Sequence, residues 1–299
     1  MRSSPPSSSW ETDRVQLSKH HGLGNDFLVV LDEVNGRGLV VDSALAERVC
    51  DRRTGIGADG LIHGATPPAG SDVAAVMHLF NADGSRAEMS GNGIRCLAHA
   101  IALAREEHHV TLEIQTDAGV RHVSVRSNDA ADRSAHAEAT MGKIRPGPEV
   151  PPAVANRLAA AGPARASRYA TVDIGNPHLV VEVQDPDAVD LAEVGAWIDQ
   201  QFPEGINVEF VPPAPGADRT DVEMRVWERG AGATPACGTG ACAVASVLRD
   251  WDADGPVGHD RAITVHMPGG DADVVLRDDG TLVLCGDVHH IATVELPDG

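Results

Sequence analysis

Apolar residues recur along this chain in short alternating or continuous runs bounded by Gly, Pro, Asn or Asp, which is the pattern of strands. Such runs predict strands from Phe27 to Leu31, Val73 to Phe80, Val110 to Gln115, Arg121 to Val125 and Ala170 to Ile174. Others follow from Leu179 to Val183, Asn207 to Val211, Val222 to Trp227, Ala262 to Val265, Asp273 to Leu276 and Thr281 to Cys285. Helical periodicity is rarer, and marks Ser43 to Cys50, Ile94 to Glu107, Pro152 to Ala161, Val189 to Gln201 and Ala241 to Asp250. A strand, a Gly-rich turn and a small-residue helix occur in that order once per half. The pattern predicts two similar α+β domains with a ligand between them.

The two turns carry the candidate chemistry. One is S-G-N-G-I-R-C, from Ser90 to Cys96, and the other is C-G-T-G-A-C, from Cys237 to Cys242. Each sets one nucleophile-capable side chain and a glycine-rich backbone at a helix start. Free N–H groups and the positive dipole end there attract a carboxylate and favour a thiolate. On this basis Cys237 is expected to have a depressed pKa and to be the most readily alkylated thiol in the chain. A serine at a helix start is also an ordinary N-cap.

Totals narrow the field. With 299 residues and 42% hydrophobic content the chain can bury a sizeable core, and two domains is the natural prior. A formal charge of −20 argues against nucleic acid or an anionic membrane as partner. Residues 1–14 are Ser/Pro-rich without an apolar segment and read as a disordered tail. No run approaches the roughly 18 apolar residues of a membrane span, so a soluble, cytoplasmic protein is expected. The 5 cysteines form an odd set without paired metal spacing, and reduced thiols are expected. The pairs His20–His21, His108–His109 and His289–His290 lack the i, i+4 spacing of a helical zinc site, so no metal is expected.

Eight segments in order resemble the diaminopimelate epimerase family. They are H-G-L-G-N-D-F (His21 to Phe27), D-R-R-T-G-I-G-A-D-G-L (Asp51 to Leu61), F-N-A-D-G-S (Phe80 to Ser85) and M-S-G-N-G-I-R-C (Met89 to Cys96). G-N-P-H (Gly175 to His178), G-I-N-V-E-F (Gly205 to Phe210), W-E-R-G-A-G (Trp227 to Gly232) and A-C-G-T-G-A-C-A (Ala236 to Ala243) complete the set. The resemblance implies an α+β fold of two pseudo-symmetric domains, each a set of strands wrapped around a central helix, with the active site in the cleft between them. An N-terminal domain at 15–132, completed by a C-terminal strand at 286–299, and a second domain at 133–285 are expected.

The resemblance also implies epimerisation of LL-2,6-diaminopimelate to the meso form without a cofactor, by two cysteines acting on opposite faces of the α-carbon. Neither lysine, Lys19 or Lys143, sits in a phosphate-cradling context that a pyridoxal enzyme would need. Cys237 matches the second catalytic cysteine, and Ser90 stands where the first is expected. His178 and Glu228 match their acid–base partners. Asn25, Asn81, Asn176, Asn207 and Arg229 match ligand-contacting positions, with the Arg229 fork suited to a carboxylate. The backbone N–H groups of Gly91, Asn92, Gly238 and Thr239 would hold the reacting carboxylate. A homodimer and an amino-acid substrate are expected, with no nucleic-acid or membrane partner.

Three positions depart from the pattern. Gly60 stands where some members carry glutamine, Ala233 where glutamate usually follows, and Ser90 where a thiol is expected. A thiol starts near pKa ~8.5 and a hydroxyl nearer the ~15.7 of water, a gap on the order of 9–10 kcal/mol. A helix dipole supplies roughly 0.3–2 kcal/mol. Ser90 can therefore donate or relay a proton but is a poor standing base. Two alternatives stay open: a Ser/Cys racemase of another amino acid, and a Cys-to-Ser variant or homologue that binds ligand with impaired catalysis.

Overall fold

The computed structural model describes residues 14–36, 38–129, 133–213, 220–251 and 261–297. The tail expected at 1–14 lies, up to residue 13, outside them, as do residues 130–132 at the expected domain boundary. The fold is α+β. A 12-stranded sheet and a 6-stranded sheet wrap two helices of equal length, Gly91–Ala104 and Gly238–Trp251.

The larger sheet closes on itself around the first helix. Strands pair in the order Arg14–Gly22, Asn25–Leu31, Gly60–Ala65, Ala75–Asn81, His109–Thr116, Gly119–Asp129, Ser134–Lys143 and Thr281–Pro297. The last returns to the first through register pairs from Arg14↔Pro297 to Gly22↔Val288. Period-2 alternation explains how one strand serves two cores. Phe27, Val29 and Leu31 face the Gly91–Ala104 helix, while Leu28 and Val30 pack with Ala46, Val49 and Cys50 of the Ser43–Cys50 helix. The first helix is built of Gly, Ala, Ile, Leu and Cys with few polar side chains, and is buried from Gly91 to Ala102. A helix apolar on nearly every side needs such a surround.

The second helix is enclosed in the same way. Its Ala241, Val244, Ala245 and Leu248 share a core with Ile263, Val265, Val274 and Leu284 of the larger sheet and with Val172, Val180 and Val226 of the smaller. Leu179, Val181 and Val183 point to the other face of the smaller sheet, against Val154, Leu158 and Ile198. The Thr281–Pro297 strand serves both halves, pairing with Gly270–Leu276 through its first part and with Arg14–Gly22 through its second.

Several expectations change in detail. Both central helices start at the Gly-rich turns, at Gly91 and Gly238, rather than at Ile94 and Ala241. The run read as one strand from Val222 to Trp227 turns a corner at Met224. Asp221–Glu223 pairs with Ala262–Met267 in the larger sheet, and Arg225–Glu228 pairs with Asn207–Val211 in the smaller. The helix expected from Val189 to Gln201 is a π turn over Leu191–Gly195 followed by an α turn over Ala196–Asp199. Arg14–Gly22, Gly60–Ala65 and Ser134–Lys143 are strands without a prior signal. Among the described residues no helix is long and apolar enough to cross a membrane.

Candidate active site

Ser90 and Cys237 cap the two central helices in the same manner. Ser90 is extended, and its Oγ accepts the Gly93 N–H at 3.0 Å. The Cys237 Sγ accepts the Gly240 N–H at 3.3 Å, and its own N–H donates to the Met267 sulfur at 3.4 Å. The helix starts abut. A β-carbon on Gly91 would stand 2.6 Å from Leu284 Cδ2 and 3.4 Å from Gly238 Cα. Only glycine lets two helix ends approach this closely.

A cleft of about 660 Å³ opens where the helices meet. Of the residues expected at the site, Asn25, Asn81, Ser90, Gly91, Asn92, Asn176, Asn207, Glu228, Arg229, Cys237, Gly238 and Thr239 all line it. His178 is the exception, being wholly buried behind the wall.

The wall is braced by polar contacts. Asp59 accepts from Asn25 Nδ2 at 2.8 Å and is itself held by Arg52, which also grips Asp26 at 2.6 Å. Arg95, buried in the first helix, donates to Asn92 Oδ1 at 2.7 Å, and Asn92 donates in turn to Asn25 at 3.3 Å. Asn207 donates to the Pro177 carbonyl at 3.0 Å and accepts the Arg229 N–H at 3.0 Å, tying the turn that carries Arg229 to the sheet. Arg229 Nη1 donates to the Glu204 carbonyl at 3.0 Å. Among the described residues no carboxylate pairs with its guanidinium, which leaves the fork available to a ligand.

The electrostatics around Cys237 overturn one expectation. The thiol is buried at 4% exposure. Burial, with the charges of Glu228 and Glu209 beside it, pushes its pKa well above the usual thiol range. Hydrogen bonds from Thr239 and the Gly240 N–H act in the opposite direction but do not win. A helix start alone does not make a standing thiolate in a site this dry. Glu228 is raised as well, by burial first, while its hydrogen bonds with Thr234 and Cys237 lower it. Thiol and carboxyl are thus neighbours that both resist ionisation.

His178 meets Glu209 rather than Cys237. Its Nδ1 lies 2.7 Å from Glu209 Oε1, with both side chains at 0% exposure, and its Nε2 lies 3.1 Å from Asn176 Oδ1. Glu209, Asp59 and Thr234 were not singled out from the sequence. Glu209 and Asp59 lie inside segments quoted above, but their roles depend on partners 31 and 34 positions away, which linear spacing does not reveal. Away from the cleft, His136, Glu138 and Cys285 bring ligand-type atoms within 4.8 Å of one another across paired strands.

The sequence model of the family described as diaminopimelate epimerase matches residues 17–145 and 170–291. The chain belongs to the diaminopimelate epimerase family. A diaminopimelate epimerase of Synechococcus elongatus is 39% identical over 284 residues, covering 91% of this chain and 94% of that protein. One from Desulfitobacterium hafniense is 36% identical over 290 residues, covering 93% and 96%. Among solved structures, a predicted epimerase from Pseudomonas aeruginosa superposes with a TM-score of 0.72 at 17% identity, covering 94% of this chain and 99% of that one. A hydroxyproline epimerase from Agrobacterium vitis, solved with trans-4-hydroxy-L-proline, superposes at 0.63 with 17% identity, covering 97% and 92%. These two likenesses establish the shared two-domain fold.

Two of the positions that depart from the expected pattern lie outside the cleft lining. A β-carbon on Gly60 would stand 2.7 Å from the Phe80 carbonyl and 3.2 Å from the Phe27 ring, so no glutamine fits there as the backbone stands. Ala233 is exposed on the short Gly232–Thr234 strand.

Proposed function

We propose that this member of the family epimerises LL-2,6-diaminopimelate to meso-2,6-diaminopimelate by proton transfer at one α-carbon, with no cofactor. The observation that carries this is the convergence of two capped helix ends, bearing Ser90 and Cys237, on one cleft that also holds the carboxylate-free Arg229. In this reading the reacting carboxylate lies on the N–H groups of Gly91, Asn92, Gly238 and Thr239, where the two dipole ends add. The distal carboxylate pairs with Arg229, and Asn25, Asn81, Asn176 and Asn207 line the remainder of the cleft.

Cys237 removes or returns the proton on one face and Ser90 serves the other. The thiol needs help to ionise, and Glu228 supplies it by accepting the thiol proton itself, which also removes the negative charge that opposes the thiolate. Its carboxylate hydrogen-bonds the thiol, and burial has made it a stronger base than an ordinary glutamate. A substrate ammonium entering the site would add the positive charge that the empty cleft lacks, favouring a thiolate beside it. Ser90 is the weaker partner, for the reason of intrinsic acidity given above. The division expected at 132/133 falls before Ser134–Lys143, a strand that packs on the first helix, so we place the boundary after that strand, with residues 286–297 returning to the first domain. We assign the chain to the cytoplasm as a homodimer with no nucleic-acid or membrane partner. The net charge of −20 supports the exclusion of polyanionic partners.

Stereochemically resolved chromatography of the chain incubated with LL-diaminopimelate, L-proline, L-alanine and L-histidine tests the assignment, with Ser90→Cys in parallel. Conversion of LL-diaminopimelate to the meso form, faster than inversion of the other three, is expected. A substrate lacking the far carboxylate leaves Arg229 unpaired, at ~1–3 kcal/mol per unsatisfied group. Preferential inversion of proline, or of neither compound by either protein, would overturn it.

A further inference from the structure

Four hydrogen bonds in series connect the deepest acid of the second domain to the candidate catalytic thiol. Glu209 Oε1 lies 2.7 Å from His178 Nδ1, and His178 Nε2 lies 3.1 Å from Asn176 Oδ1. Asn176 Nδ2 donates to Thr239 Oγ1 at 3.3 Å, and Thr239 Oγ1 lies 3.5 Å from Cys237 Sγ. As the Asn176 amide is oriented, both ring nitrogens of His178 face acceptor oxygens, an arrangement that suits a donor at each. Asn176 then has its oxygen occupied and turns its amide donors toward Thr239. The Thr239 oxygen accepts from Asn176, which leaves its own hydrogen to point at the sulfur. From His178 outward the three bonds to Asn176, Thr239 and Cys237 run in one direction, and the bond His178 donates back to Glu209 anchors their far end.

Glu209 is costly where it stands. It is at 0% exposure, its Oε2 has no hydrogen-bond partner, and a β-carbon on Gly240 would come within 2.8 Å of its Oε1. A buried carboxylate with one oxygen left unpaired destabilises a fold, and an apolar side chain of similar size would not. It is seated against His178 and beneath the helix turn that caps Cys237, where a carboxylate can act on both.

We infer that Glu209 is a positioning residue of the reaction: by holding His178 as a donor from both ring nitrogens, it orients Asn176 and Thr239 so that a hydroxyl donor meets the Cys237 sulfur. The inference rests on the reading of Cys237 as the proton-transferring group. The charged and titratable groups facing Cys237 are Glu228, from the strand Arg225–Glu228, and Glu209, from the strand Asn207–Val211, with His178 beside Glu228. The carboxylate therefore acts in two ways. Its charge opposes the thiolate through space, while the chain it organises delivers a donor to it.

The test compares wild type, Glu209→Gln, Thr239→Val and Thr239→Ser by α-proton exchange of LL-diaminopimelate, with side-chain 15N NMR of histidine assigned by a His178→Gln variant. In wild type the His178 signal should be that of a ring protonated on both nitrogens, and in Glu209→Gln that of a ring protonated on one. Glu209→Gln should lower kcat by ~10-fold or more, the worth of one hydrogen bond to a charged group, with little change in KM. Thr239→Val should fall further than Thr239→Ser, which keeps the hydroxyl; this pair decides the matter if Glu209→Gln fails to fold. Wild-type kcat in Glu209→Gln, a singly protonated His178 in wild type, or equal losses in the two Thr239 variants would overturn the inference. Absence of exchange by wild type would instead count against the functional reading, and the NMR comparison would still decide the role of Glu209.

Discussion

Gly91 and Gly238 touch across the centre of the molecule: a β-carbon on Gly238 would lie 3.3 Å from Gly91 Cα, and one on Gly91 3.4 Å from Gly238 Cα. This contact brings the two helix ends together, and with them the caps Ser90 and Cys237. Two dipole ends that would repel each other in an empty site become a single receptor when an anion lies between them.

The contact sets a first prediction. Exchanging both glycines for alanine adds helix propensity worth ~1 kcal/mol per site in an ordinary helix. Here the added methyl groups meet backbone and Leu284 Cδ2, at 2.6 Å from the Gly91 side and 2.8 Å from the Gly238 side. Overpacking of this kind costs ~1–3 kcal/mol, so the Gly91→Ala/Gly238→Ala chain should be net destabilised in denaturant melts. Adding Leu284→Ala should recover part of what the methyl groups cost, in a double-mutant cycle. A stabilised double variant would show that the ends do not abut.

Ser90 sets the second. With serine on one face, proton removal from the Cys237 side stays feasible while removal from the Ser90 side is handicapped by several kcal/mol. Forward and reverse fluxes match at equilibrium, so inversion slows in both directions although one base is impaired. Ser90→Cys should therefore raise epimerisation by at least ~100-fold, the lower end for one acid–base group. An unchanged or lower rate, read by the appearance of meso-diaminopimelate, would make serine the intended partner.

Much of this was legible in the sequence, for identifiable reasons. The strand Asn207–Val211 is legible at its true bounds because Val208 and Phe210 pack into one core while the alternating Asn207 and Glu209 are polar and face the site. The cleft residues were found because each lies in a compact motif. Met224 hid the corner between two sheets, since a continuous apolar run looks the same whether or not it changes partner. The Cys237 thiol departs from the expectation because a helix start is visible in a sequence, whereas the desolvation that outweighs it is a property of the packed site. Glu209 carries no signal in the sequence because its partner His178 lies on the neighbouring parallel strand.

A third prediction concerns acid stability. His20 and His99 pack edge to face at 5.1 Å, and His20 meets His290 at 5.1 Å as well. Burial, then the neighbouring imidazoles, holds His20 well below the ordinary histidine range, and His99 is lowered to about 4. A histidine depressed in the folded state binds its proton more readily when unfolded. Stability is therefore full above the unfolded pKa of ~6.5 and falls as the pH drops toward 4. For His99 alone the loss by pH 4 is on the order of 3 kcal/mol. Urea melts between pH 7.5 and 4.5 should show this slope, and His99→Gln should flatten it. Equal slopes in the two proteins would remove His99 from the acid response.

The most direct measurement is solvent-deuterium exchange at the α-carbon of LL-diaminopimelate, followed by NMR alongside the appearance of the meso form. Cys237 can return a solvent-derived deuteron to the face it deprotonated, whereas inversion also needs Ser90. Wild type should exchange the α-proton of one stereoisomer faster than it inverts it, and Cys237→Ala should lose both by at least ~100-fold. Exchange that survives intact in Cys237→Ala would place the proton transfer on another residue and contradict the role assigned to this thiol.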